Sequence, residues 1–179
     1  MNNERGFTLA ELMVAMAVMA LLLAGIFVTL REGQSSYQYG AGRAEVQQNA
    51  RVALDRMLRE LRTASAITTS TATDLKFTYL DETSTSITVE YTLSGTPSAG
   101  NPVQLQRNQT GAANQPDVLI GGVNALTFTY YDFNNAVTTT AANVRSIDIQ
   151  ITTVPENTAL APPNVRTALV EGRVRVRNE

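Results

Sequence analysis

The chain has 179 residues, a net charge of −2, and neither cysteine nor histidine. That length accommodates one domain plus an attached element. The missing residue types exclude a disulfide framework and any Cys/His zinc site, and the near-neutral balance offers no general attraction to nucleic acid.

The first six residues, Met1-Asn2-Asn3-Glu4-Arg5-Gly6, are polar, and with the initiator amine they sum to +1. That sign favours a cytoplasmic N-terminus beside a membrane span. From Phe7 to Leu30 the chain is apolar apart from one charge, Glu11, and Leu12 to Val28 carries none. As a helix this run would be roughly 36 Å long, enough to cross a hydrocarbon core of about 30 Å. A secretory signal peptide fits poorly. The polar start is short, an acid interrupts the run, and the small-x-small triplet Ala15-Met16-Ala17 lies deep inside it. An ordinary signal anchor explains the length but not Glu11, because a carboxylate within a span costs roughly 3 kcal/mol and usually marks a function.

Gly6-Phe7-Thr8-Leu9-Ala10-Glu11 resembles the prepilin peptidase motif of type IV pilins and pseudopilins. In that family a polar leader ends in glycine, cleavage exposes a phenylalanine that becomes N-methylated, and a glutamate stands fifth in the mature chain. The resemblance implies a leader at 1–6, a scissile bond between Gly6 and Phe7, methylation of Phe7, and a role for Glu11 in setting assembly register. It implies as partners prepilin peptidase, other major and minor pilins or pseudopilins, and an inner-membrane assembly platform. It further implies a single-pass inner-membrane protein with its N-terminus cytoplasmic and its C-terminal domain periplasmic, later built into a pilus or pseudopilus.

Elementary chemistry agrees with that motif. Glycine lets a protease approach the backbone closely. Glu11 stands one helical turn beyond the amine that cleavage would create, where the helix dipole favours an anion. There it can pair with its own amine or a neighbour's, and buried ionic pairs can set register. Met13, Met16 and Met19, with Ala20 and Ala24, suit helix packing and imply no ligand.

Residues 31–64 form the next section. Gly33, Gly40 and Gly42 fall within ten residues, at a cost of about 2–3 kcal/mol relative to alanine. Both a bend and a continuous helix held by packing are open there. Val46, Ala50, Ala53, Leu54, Met57, Leu61 and Ala64 then recur at offsets of 3 and 4, which predicts an amphipathic helix over 43–64 with one face on a sheet. Arg51, Asp55, Arg59 and Arg62 lie opposite, with Asp55 and Arg59 spaced to pair. Acids are interspersed among the arginines, so a solvated face is expected rather than a DNA patch. Gln47 to Asp55 and Arg59-Glu60-Leu61-Arg62 are similar to PilW-type minor pilins and J-type secretion pseudopilins.

Residues 65–179 read as β structure. Alternation is clear at Leu75-Phe77-Tyr79, Ile87-Val89-Tyr91-Leu93, Leu126-Phe128-Tyr130 and Ile147-Ile149-Ile151. Shorter pieces are Val103-Leu105, Val118 to Ile120 ending at Gly121-Gly122, and Leu169 to Val176. One-sided alternation predicts an antiparallel sheet with one covered face. Thr152 to Arg166, with Pro155, Pro162 and Pro163, reads as a loop suited to a subunit contact. Arg173, Arg175 and Arg177 share a face that discourages edge pairing.

The expected fold is therefore α+β and pilin-like: a long N-terminal helix, half transmembrane and half amphipathic, packed on an antiparallel sheet. No catalytic constellation or cofactor motif is present, and Asp81-Glu82, read as strand neighbours, would point to opposite faces. No metal loop is spelled out, although Asp117 and Asp132 are isolated acids open to ligation. The expected role is a minor pilin that primes or tips a type IV pilus. A subunit of a secretion or DNA-uptake pseudopilus is the near alternative, and a signal-anchored binding module that never polymerises is the distant one.

Overall fold

The computed structural model describes residues 6–98, 101–155 and 167–176. One helix, α1 (Leu9–Arg62), precedes seven strands: β1 (Ala66–Ser70), β2 (Leu75–Leu80), β3 (Ser86–Leu93), β4 (Val103–Gln109), β5 (Asp117–Tyr131), β6 (Ser146–Thr153) and β7 (Ala168–Arg175). A short 3₁₀ turn, Ala141–Asn143, lies between β5 and β6. Residues 1–5 of the expected leader, residues 156–166 of the expected loop, and Arg177 lie outside the described residues.

The chain divides into two units, Met1–Ala41 and Gly42–Glu179. In the first, the described residues from Leu9 onward are helical. Residues 33–42 are helical too, so of the two alternatives the chain adopts the continuous helix. A Cβ added at Gly33, Gly40 or Gly42 would meet nothing within 4 Å, so nothing among the described residues requires glycine at these three positions.

In the second unit the strands form one antiparallel sheet in the order β1-β2-β3-β4-β5-β6-β7. The architecture is thus α+β, as the periodicities predict. All seven stripe residues from Val46 to Ala64 are buried. Ala53, Leu54, Met57 and Leu61 enter one core with Phe77, Val89, Leu105, Leu126, Phe128 and Ile149. Fully buried Met57 and Leu61 each contribute on the order of 2 kcal/mol. At Gly172 helix and sheet approach closely: a Cβ there would stand 3.1 Å from a Leu58 methyl and 3.2 Å from a Leu54 methyl. The buried Thr153 hydroxyl adds a polar tie by donating to the Val46 carbonyl at 3.2 Å.

Four expectations are corrected. The pieces ending at Gly121-Gly122 and starting near Leu126 are one strand, β5. Gly122, at φ +67, lets it turn without stopping. Its first part, to Val123, pairs with β4 and its second part with β6. Along that second part, the Phe128 N–H donates to Ala72 and the Tyr130 hydroxyl to Thr71, at 2.8 and 2.7 Å. Second, β1 was not anticipated, because Ile67 is its only buried side chain and its register shifts at Ile67/Thr69. Third, Thr152 and Thr153 belong to β6 rather than to the loop. Fourth, Asp81 and Glu82 lie in a turn and not in a strand.

That turn, between β2 and β3, recurs between β5 and β6. The Asp81 carboxylate accepts from the backbone N–H groups of Thr83 and Thr85, and Asp132 does the same for Asn134 and Ala136. The fourth residue of each is left-handed, Ser84 at φ 59 and Asn135 at φ 63. Asparagine tolerates that conformation and serine does so less well. Ser84→Gly is expected to stabilise the fold by about 0.5 kcal/mol, read as a higher urea midpoint for the detergent-purified chain. The Thr83 hydroxyl and then the Thr85 N–H hold the Asp81 carboxyl below its ordinary range.

Candidate processing and assembly site

Residues Gly6, Phe7 and Thr8 stand ahead of the helix in non-helical backbone. Phe7 is 92% exposed, and a Cβ placed on Gly6 would meet nothing within 4 Å. The Gly6–Phe7 peptide is therefore unwound and open. The helix begins at Leu9, and the reason lies in Thr8 and Glu11. Glu11 Oε2 accepts from both the Thr8 backbone N–H and the Thr8 hydroxyl, each at 2.9 Å. The Glu11 N–H in turn donates to Thr8 Oγ1 at 3.3 Å. This reciprocal arrangement is a capping box, with Thr8 as N-cap and Glu11 at the third helical position. It satisfies donors that every helix start leaves unpaired. The reading of the motif overlooked Thr8, although Thr-x-x-Glu ahead of an apolar run is the signature of such a cap.

Beyond the cap, Leu12, Met13, Met16, Met19, Leu22, Phe27 and Leu30 are all more than half exposed. By length and composition this stretch of α1 suffices to cross a membrane. Among the described residues no three His, Cys, Asp or Glu side chains gather into a metal site. Asp117 faces Arg56 at 3.3 Å, and Asp132 caps its turn.

A second polar constellation was missed. Glu60, at the edge of the helix stripe, accepts from Arg107 Nε at 3.0 and 2.9 Å and from the Tyr91 hydroxyl at 2.6 Å. Arg56 reaches both Glu60 and Asp117, and Arg107 also donates to Gln109. Arg107 is 7% exposed and follows Leu105 by two, on the inward side of β4. That period-2 position was the available signal. The expected Asp55–Arg59 ion pair is not formed; Arg59 donates to the Asp55 backbone carbonyl instead. Arg173 is not simply repulsive, because it contacts Asp148 and Ser146 and lies 4.3 Å from the Tyr131 ring centre.

Burial, the Glu60 hydrogen bond and the Glu60 charge raise the Tyr91 phenol above its ordinary value, against the charges of Arg107 and Arg56. Burial and then the Asp74 charge raise Tyr130. Burial works against the Arg107 charge, but Glu60 more than offsets it and its pKa rises. For the tyrosines the neutral form is the one the fold favours. Stability is therefore complete below the unfolded value near pH 10 and is lost as pH climbs above it. The urea midpoint is expected to fall above about pH 10, and to fall less steeply for the Tyr91→Phe/Tyr130→Phe variant.

Residues 1–27 match the family model described as the prokaryotic N-terminal methylation motif. No curated protein and no solved structure matches the chain. That motif stands at the head of one long helix with an antiparallel sheet behind it, and over those first residues the chain is similar to type IV pilins and pseudopilins.

Proposed function

We propose that prepilin peptidase cuts this chain between Gly6 and Phe7 and methylates the new Phe7 amine. The observation that carries this is the unwound, exposed Gly6–Phe7 peptide directly ahead of a capped apolar helix, within the matched motif. Residues 1–6 are then a leader, 7–30 a span that waits in the inner membrane, and 31–64 with 65–179 a periplasmic domain. The subunit leaves the membrane for a filament, where Glu11 sets its register. The similarity of Gln47 to Arg62 to PilW-type and J-type subunits supports a minor subunit that primes or tips a type IV pilus. A type II secretion or DNA-uptake pseudopilus uses the same architecture.

Peptide mass mapping of the chain from its native host tests the proposal. An N-methylated Phe7 terminus, with the chain in sheared filaments, is expected. An intact Met1 terminus and a chain found singly in the membrane would instead identify a signal-anchored binding module that does not polymerise. Glu11→Ala is expected to be clipped normally yet to enter filaments at least about tenfold less, because the acid marks a function other than insertion. Normal entry would remove the register role.

A further inference from the structure

Among the described residues of the first unit, Glu11, Arg31 and Glu32 have no ionic partner. Glu11 bonds only to Thr8, and Arg31, the first cation after the apolar run, makes no ion pair among the described residues. Both are exposed. They are 20 positions apart on one continuous helix. At 1.5 Å and about 100° per residue, that places them about 30 Å apart along the axis and about 200° apart around it. They thus lie on opposite sides of the rod, separated by roughly one hydrocarbon thickness.

We propose that Arg31 of one copy of this chain receives the Glu11 carboxylate of a second copy displaced along the helix axis by that 30 Å. This rests on the reading of the chain as a filament subunit, in a filament that holds copies of it in series rather than one at its tip, and names the contact that fixes its register.

Three arguments carry it. A carboxylate packed among apolar helices is costly unless paired, and a guanidinium matches it with two parallel hydrogen bonds. Thr8 occupies only Oε2, so the carboxylate retains accepting capacity. Opposite-face placement makes the contact heterologous: one side of a copy meets the other side of the next, and the series stays open rather than closing as a dimer. Copies lying level in a membrane would set Glu11 beside Glu11 and about 30 Å from any Arg31. The pair therefore forms only once the helices are staggered.

Ala15 and Ser35 stand one turn beyond Glu11 and Arg31, on the same two faces and with the same separation. Full-length Ala15→Cys and Ser35→Cys chains, co-expressed in the native host and oxidised, are expected to form a mixed disulfide in sheared filaments and not in membranes. Glu11→Arg and Arg31→Glu should each lower filament entry at least about tenfold, and the double reversal should restore it to within about threefold. Recovery of each clipped variant in the membrane fraction separates lost pairing from lost insertion. Where Glu11→Arg is not recovered, the cysteine pair decides alone. A double reversal as poor as either single one, Ala15→Cys chains linked only to each other, or Ser35→Cys linked to a different subunit and never to a second copy would overturn the pairing. Filaments containing the wild-type chain but yielding no mixed disulfide refute the pairing alone. Filaments without the wild-type chain refute the filament reading as well.

Discussion

A Gly6→Val chain is expected to remain unclipped, with Met1 still at its head and none of it in filaments. The structure gives this result an unambiguous cause. Gly6 is exposed, non-helical and surrounded by open space, so nothing inside the protein needs glycine there. Valine leaves the fold unchanged, and whatever requires the absence of a side chain must come from outside. A protease that binds the extended peptide along its backbone is such an agent. Displacing a scissile bond by about 1 Å can slow catalysis on the order of 100-fold. Immunoblots resolving clipped from unclipped chain after a pulse of synthesis give the rate. Wild-type clipping of Gly6→Val would refute the assigned cleavage position.

Replacing Glu60 with leucine is expected to cost about 3 kcal/mol, because it leaves the Arg107 guanidinium buried with the Gln109 amide and the Tyr91 hydroxyl beside it but no carboxylate to balance its charge. Glu60 is itself 22% exposed in its side chain, so some water can follow the arginine and the loss stays at the lower end of the range for broken buried pairs. The Tyr91 hydroxyl loses its acceptor in the same step. Removing both charges, as Glu60→Leu/Arg107→Met, is expected to recover stability to within about 1 kcal/mol of wild type. Urea unfolding of the two variants beside the parent measures this. Equal loss in single and double variants would mean that packing, not the stranded charge, sets the cost.

The parts of the protein that follow from periodicity were legible before any coordinates. The apolar run, the helix stripe from Val46 to Ala64 and the inward residues of β2, β3 and β6 obey strict spacing, and the structure buries the stripe and most of those strand residues. What escaped depends on single residues or on distant partners. β1 carries one buried side chain, too few to make a pattern. The kink in β5 depends on the left-handed Gly122, and a glycine pair reads equally well as a strand end. The Glu60–Arg107 pair joins residues 47 positions apart, and no local pattern spells out such a contact. The motif Gly6 to Glu11 was fully legible as a resemblance, while the cap that Thr8 forms with Glu11 needed attention to hydroxyl chemistry rather than to charge.

The strand order has a consequence for biogenesis. Each inner strand, β2 to β6, is hydrogen-bonded to the strands immediately before and after it in the chain, and β1 and β7 form the two edges. No segment must wait for a partner still to be synthesised at the far terminus, and loop closure stays short at each step. A polypeptide delivered residue by residue, amino end first, can therefore add one hairpin at a time onto a helix already in place. The sheet grows like a zipper from the fixed edge β1, and the latest strand is the edge that the next one meets.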